Sequence, residues 1–197
     1  TMGGDVLLWR GAGPNPVTLG KLDEAFNSLI VVGMTVIATG LYGPIRAWRA
    51  DTAEELWSLP VPEPLVIASL ALSTQGWLAF KTGGYLEVVD LKDRVTRCRM
   101  RGHSKQVWCM VLTPDGSTLV TGADDHLIKV WDTATGAEKA TLAGHEGPIR
   151  SLAVTADSIT LVSGSADGTV RVWDLTRTTG PGANQSSGSD SLCAAVS

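Results

Sequence analysis

Two histidines, His103 and His145, each follow a glycine, and each stands 22 residues ahead of an aspartate, Asp125 or Asp167. Imidazole paired with carboxylate is the raw material of acid–base catalysis and of relays that activate a hydroxyl nucleophile. The pair does not occur once, however. Gly102-His103, Asp125 and Trp131-Asp132 return as Gly144-His145, Asp167 and Trp173-Asp174, each member shifted by 42 residues. An active site is needed once, so residues repeated at a fixed interval belong to a scaffold. The remaining histidine, His126, is a turn residue beside Asp125 with no carboxylate pair to work with. Cys98, Cys109 and Cys193 are odd in number, match no disulfide or metal spacing and do not cluster with the histidines. With no glycine-rich phosphate loop and no activated nucleophile either, the sequence predicts neither cofactor nor metal.

The elements that must hold these residues are short strands. A period near forty with a Gly-His opening and a Trp-Asp close signals a four-stranded blade. The third strand of each unit centres on Trp9, Trp48, Val89, Trp131 and Trp173, at intervals of 39, 41, 42 and 42 residues. Alternating runs lead into these centres, as in Ile128-Lys129-Val130 and Val170-Arg171-Val172. Further strands are expected at Leu65 to Leu72, Trp77 to Lys81, Val107 to Leu112, Thr118 to Thr121, Ile149 to Val154 and Ile159 to Ser163. Turn residues such as Pro114-Asp115-Gly116 and Ala166-Asp167-Gly168 separate them. The count is seventeen strands, grouped two, four, four, four and three. Regular short strands fit a sandwich, barrel or propeller, and the 42-residue echo selects the propeller.

Residues 102–132 and 144–174 resemble the WD-repeat β-propeller family, which implies an all-β fold of radially arranged blades. In that family the histidine, a second-strand hydroxyl, the turn aspartate and the third-strand tryptophan form a hydrogen-bonded chain. The resemblance carries these roles to His103, Thr121, Asp125 and Trp131, and to His145, Ser163, Asp167 and Trp173. It weakens toward the front: Tyr42 replaces the turn aspartate although Thr39 keeps the hydroxyl position. Val89 stands for tryptophan and Gly83 for aspartate. The implied organisation is a partial blade at 5–20, degenerate blades at 25–60 and 61–101, a full blade at 102–143 and a blade lacking its outer strand at 144–175. A disordered tail is expected at 176–197, rich in glycine, serine and threonine. The family's last blade usually borrows its outer strand from the chain's own start, a part that Val6 to Trp9 or Pro16 to Leu19 would play. The favoured expectation is instead the C-terminal part of a larger propeller.

Composition narrows the function. A net charge of −4 gives no general attraction for nucleic acid or anionic lipid. The uncharged stretches Ala25 to Ile45 and Pro64 to Phe80 have the length of membrane helices. The first is interrupted by Gly33, Gly40, Gly43 and Pro44, and both fall in phase with the repeat as strand–turn–strand. Neither a signal peptide nor a prenylation box in register is present. Unpaired cysteines fit a reducing intracellular compartment, the cytoplasm or the nucleus.

The family resemblance places partner contacts at Gln106, Trp108 and Asp124 in one blade and at Pro148, Arg150 and Ala166 in the next. Trp108 beside Arg150 is the leading expectation, because these residue types dominate interface energies. Arg97, Arg99 and Arg101 alternate along an expected outer strand. They form either a strip that deters edge pairing or a docking strip for an acidic or phosphorylated segment. The function expected is a non-catalytic scaffold or adaptor that binds other proteins or peptide segments, with no small-molecule substrate. The alternative is the regulatory end of a larger nucleotide-hydrolysing signalling enzyme.

Overall fold

A computed structural model describes residues 4–8, 16–22, 26–40, 43–61, 69–82 and 84–177. Among them are seventeen strands and one 3-10 turn. The strands are β1 (Gly4–Leu8), β2 (Val17–Leu22), β3 (Phe26–Val32), β4 (Thr35–Gly40), β5 (Ile45–Arg49), β6 (Glu55–Leu59), β7 (Leu70–Leu72), β8 (Trp77–Thr82) and β9 (Tyr85–Asp90). They continue as β10 (Val95–Met100), β11 (Val107–Leu112), β12 (Thr118–Ala123), β13 (Ile128–Asp132), β14 (Glu138–Leu142), β15 (Ile149–Val154), β16 (Thr160–Ser165) and β17 (Val170–Asp174). Consecutive strands pair into antiparallel sheets of two, four, four, four and three, the grouping the strand count predicts.

The chain divides into two compact units, Thr1–Leu70 with Phe80–Tyr85, and Ala71–Ala79 with Leu86–Ser197. In the first, the long uncharged stretch forms the hairpin of β3 and β4, with Val32 opposite Thr35 and Gly33 turning the chain at φ 57°. Positive φ suits glycine at such a two-residue turn. Val6, Leu19, Leu22, Val36, Ala38, Trp48 and Ala50 form the core of this unit. Trp48 comes close to the β2 backbone because position 20 is glycine; a Cβ there would sit 2.4 Å from the indole nitrogen. Thr39 is fully buried and its hydroxyl donates to the Gly40 carbonyl at 3.0 Å.

In the second unit the alternation of each strand sends apolar residues to both faces, because sheet packs upon sheet. One core joins Leu86, Val88 and Met100 to Val107, Met110, Leu112, Leu119 and Trp131. The other joins Val120, Ile128, Val130, Ala140 and Leu142 to Ile149, Leu161 and Trp173. Val89, standing where the repeat has tryptophan, is buried and pairs with Thr96.

Among the described residues the first and last sheets hold fewer than four strands. β1 and β2 pair with each other from Gly4↔Leu22 to Leu8↔Val17, and among the described residues β17 has no fourth-strand partner. The expected tail is structured at its beginning: Leu175–Arg177 make a 3-10 turn, held by Thr176 N–H and Oγ1–H donating to Asp174 and by Leu175 N–H donating to the Ile159 carbonyl. Of the strand expected at Leu65 to Leu72, Leu70–Leu72 is seen, and Leu65 to Ala68 lie outside the described residues. Trp9, Tyr42, Gly83, residues 62–68 and residues 178–197 lie outside the described residues. No described helix is long and apolar enough to cross a membrane.

Candidate partner-binding face and the relays behind it

Each relay begins at a turn aspartate. Asp125 accepts backbone N–H bonds from Ser104 at 3.0 Å and Leu127 at 3.2 Å, which clamps the chain entering β11 to the β12–β13 turn. His103 Nδ1 lies 3.0 Å from Asp125 Oδ2, and its Nε2 lies 2.8 Å from Thr121 Oγ1. Trp131 Nε1 donates to the same hydroxyl at 2.9 Å. Donor and acceptor roles follow from this geometry. A carboxylate accepts only, so Nδ1 carries the imidazole proton; an indole donates only, so the hydroxyl accepts from it and gives its own proton to Nε2. The second relay repeats the first: His145 Nδ1 to Asp167 at 2.8 Å, Nε2 to Ser163 at 2.7 Å, and Trp173 Nε1 to Ser163 at 2.8 Å. Thr169, not anticipated from the motif, joins it by donating to Asp167 Oδ1 at 2.6 Å.

The environment tunes these groups. Burial pushes the His103 pKa down, and the Asp125 carboxylate only partly opposes it, so the ring is held below the usual histidine range. Burial pushes Asp125 up, but bonds from His103 and the backbone outweigh it and leave the carboxyl below its ordinary value. Asp167 is likewise lowered: bonds from Thr169, Glu146 and His145 overcome the burial penalty. Both relay hydroxyls, on Thr121 and Ser163, are fully buried. His126 is explained by its backbone: φ is 67°, in the turn position that Gly168 fills at φ 84° one repeat later.

The residues expected at a partner face lie in front of these relays. Asp124 N–H donates to the Gln106 carbonyl at 2.8 Å, and Ala166 N–H donates to the Pro148 carbonyl at 2.9 Å. The same bond therefore fixes both turns at the mouths of β11 and β15. Trp108 is 42% exposed. The Arg150 guanidinium stands 4.7 Å from its ring centre and reaches Asp124 Oδ1 at 3.5 Å. Trp108, Arg150 and Asp124 thus form one contiguous group; Gln106 and Pro148 flank it and are half-buried. Behind it, Cys109 is buried 3.8 Å from the Ile149 carbonyl, and burial pushes its thiol up to about 12. Among the described residues no three His, Cys, Asp or Glu side chains are placed to hold a metal.

The model of the WD domain, G-beta repeat, matches residues 94–132 and 136–174, the two stretches that carry the relays. The chain therefore carries two WD repeats. The periodic tryptophan protein 2 homolog of Dictyostelium discoideum is 30% identical over 112 residues, covering 56% of this chain and 12% of that protein. Protein groucho of Drosophila melanogaster is 38% identical over 95 residues, 42% of this chain and 13% of groucho. The human angio-associated migratory cell protein is 28% identical over 114 residues, 52% of this chain and 24% of that protein. The WD-repeat chain therefore spans under a quarter of each of these relatives. Among solved structures, the computationally designed Ika4 protein superposes with a TM-score of 0.67 at 24% identity, over 77% of this chain and 92% of its own. That likeness concerns the fold.

In this WD-repeat chain the arginine strip is largely engaged by its own sheet. Arg99 Nε bonds Glu87 Oε1 at 3.0 Å, directly across the β9–β10 ladder. Arg97 stacks 3.8 Å over the Trp77 ring and meets Asp90 at 3.5 Å, at a register shift between Thr96 and Cys98. Arg101 is exposed. Sequence reasoning placed these arginines on one strand but missed Glu87, Asp90 and Trp77. Register decides such neighbours, and an irregular ladder is not written in strand alternation.

Proposed function

We propose that this WD-repeat chain is a non-catalytic docking platform that holds protein or peptide partners in a multiprotein complex. Contact would be made through Gln106, Trp108, Asp124, Pro148 and Arg150, and the two relays serve to hold that face in shape. The observation that carries the reading is the half-exposed Trp108 stacked with Arg150, itself braced by Asp124. A large ring and a guanidinium already ordered against each other lose little freedom on binding, which is how hot-spot residues gain affinity. The sealed hydroxyls of Thr121 and Ser163 support the non-catalytic part.

The test is a comparison of proteins co-purifying from cells with the parent chain and with Trp108→Ala/Arg150→Ala, quantified by mass spectrometry. A central hot-spot residue contributes about 2 kcal/mol or more, so partners should fall by roughly thirtyfold or be lost. The far-UV spectrum should stay unchanged. An unaltered partner set with an intact fold would remove this face from consideration.

A further inference from the structure

Two neighbouring junctions, one between the β7–β10 and β11–β14 sheets and one between β11–β14 and β15–β17, are built from echoing residues. The Ser73 N–H donates to the Trp77 carbonyl at 3.0 Å as the Thr113 N–H does to the Thr118 carbonyl at 2.9 Å, so Thr118 is the echo of Trp77. Arg97 and Lys139 correspond likewise, each left over where its outer ladder shifts register. At the first junction the Trp77 ring fills the space. A Cβ on Gly116 would lie 2.5 Å from that ring, and the Arg97 guanidinium caps it at 3.8 Å from its centre. The Thr133 hydroxyl closes the same end by donating to the Gly116 carbonyl at 2.6 Å. At the second junction the same backbone bonds put Ser158 in the place of Gly116 and Leu175 in the place of Thr133. Thr118 is too small to do what Trp77 does, and a cleft of about 190 Å³ remains, lined by Val130, Lys139, Ser158 and Leu175 as well as Thr118. A cavity of about 150 Å³ is enough to admit benzene.

The surroundings of the cleft select its occupant. The Thr113 and Thr176 hydroxyls, which also line it, donate to Asp115 and Asp174, each at 2.6 Å, and Asp132 acts on Lys139 through space. Three carboxylates so close disfavour an anion. Lys139 Nζ donates to Thr118 Oγ1 at 3.2 Å, and among the described residues the Ser158 hydroxyl makes no hydrogen bond. We propose that this cleft binds a neutral planar aromatic group of indole size. Lys139 lies over its face as Arg97 lies over Trp77, Val130 and Leu175 meet its carbon atoms, and its N–H donates to the Ser158 hydroxyl. Thr113 follows the end of β11 while Trp108 stands near its start, so this site and the partner-binding face sit at opposite ends of one strand. Either assignment can fail while the other stands.

Indole serves as the probe, titrated against the full chain while backbone amide resonances are followed by NMR. Saturable shifts are expected at Ser117, Thr118, Ser158 and Leu175. Thr118→Trp supplies the ring from within, so indole binding should fall by about tenfold or more while the thermal midpoint holds or rises. Lys139→Met keeps the length of the side chain and removes its charge, and should weaken binding by about threefold; it carries the comparison if Thr118→Trp does not fold. N-acetyltryptophan amide separates the sources of the ring. Binding as tight as that of indole assigns the cleft to a partner's aromatic side chain, and binding of indole alone assigns it to a free small molecule; both support the site. Absence of saturable shifts at these amides overturns the proposal, as does indole binding undiminished in both variants. Equal binding of cyclohexanol would make the cleft merely apolar, and tighter binding of benzoate would make it an anion site; either overturns the proposal too.

Discussion

Thr121 sits between two buried nitrogens that need opposite things from it. The Trp131 indole must give a proton away, and His103 Nε2 must receive one. A hydroxyl satisfies both, and no apolar isostere satisfies either. Thr121→Val should therefore orphan two groups at once in a fully buried site. At about 1–3 kcal/mol for each orphaned group, the loss should be about 2–6 kcal/mol. Thr121→Ser keeps the hydroxyl and should lose about 1 kcal/mol or less; urea denaturation of both variants checks the contrast. The relay also fixes how stability follows pH. Folding lowers the His103 pKa, so the unfolded chain binds the proton more readily below its value of 6.5. This contribution is complete above that pH and is lost as pH falls toward the folded value. Asp125 is also lowered, so its contribution is present above its unfolded value of 3.8 and disappears as pH falls through the folded one. Stability should thus decline in two steps on acidification. In His103→Asn the upper step should vanish, and a parent-like slope between pH 7 and pH 5 in that variant would contradict the assignment.

Packing between sheets is sharpest at glycines that the repeat places in the same position. Gly122, on β12, faces the side chain of Ile149 on β15; a Cβ there would come within 2.4 Å of one Ile149 carbon and 2.9 Å of Cys109 Sγ. A Cβ at its echo Gly164 would come within 2.6 Å of the Ser151 hydroxyl, the end of a side chain that can turn away. Gly122→Ala should cost about 1–3 kcal/mol, the usual range for overpacking a core. Gly164→Ala should cost clearly less. Equal effects on the thermal midpoint would show that sheet contact is not what separates them. Much of this element level was legible in the sequence, since Gly-His, turn aspartate and Trp-Asp name their own strands. The difference between Gly122 and Gly164 was not, because a repeat shows sameness while the cost depends on what packs opposite. The Trp108–Arg150 pairing was legible from neighbouring blades in phase; the engagement of Arg97 and Arg99 by Asp90 and Glu87 needed the ladder register.

At the scale of the molecule, the second unit is built from sheets that cover one another, and coverage differs along it. The β11–β14 sheet has a core on both faces, whereas Val170 and Val172 of the last sheet, and Ile159 just before β16, stand exposed. In such stacked architectures stability is close to a sum of neighbour terms, so a sheet with fewer neighbours should open first. Amide exchange should accordingly be slowest in β12 and β13 and faster in β17, and the reverse order would refute the neighbour account. Front blades were harder to read for the same additive reason: a covered strand tolerates Val89 in place of tryptophan, so motif letters drift while the strand survives. One buried atom makes the opening of this interface countable. With its proton held to about 12, the sulfur of Cys109 offers almost no thiolate at neutral pH while sheet lies against sheet. A soluble alkylating reagent can mark it only during the moments when β11 and β15 part. The rate of that labelling, mapped to this cysteine by mass spectrometry, is a clock for how often the joint comes undone.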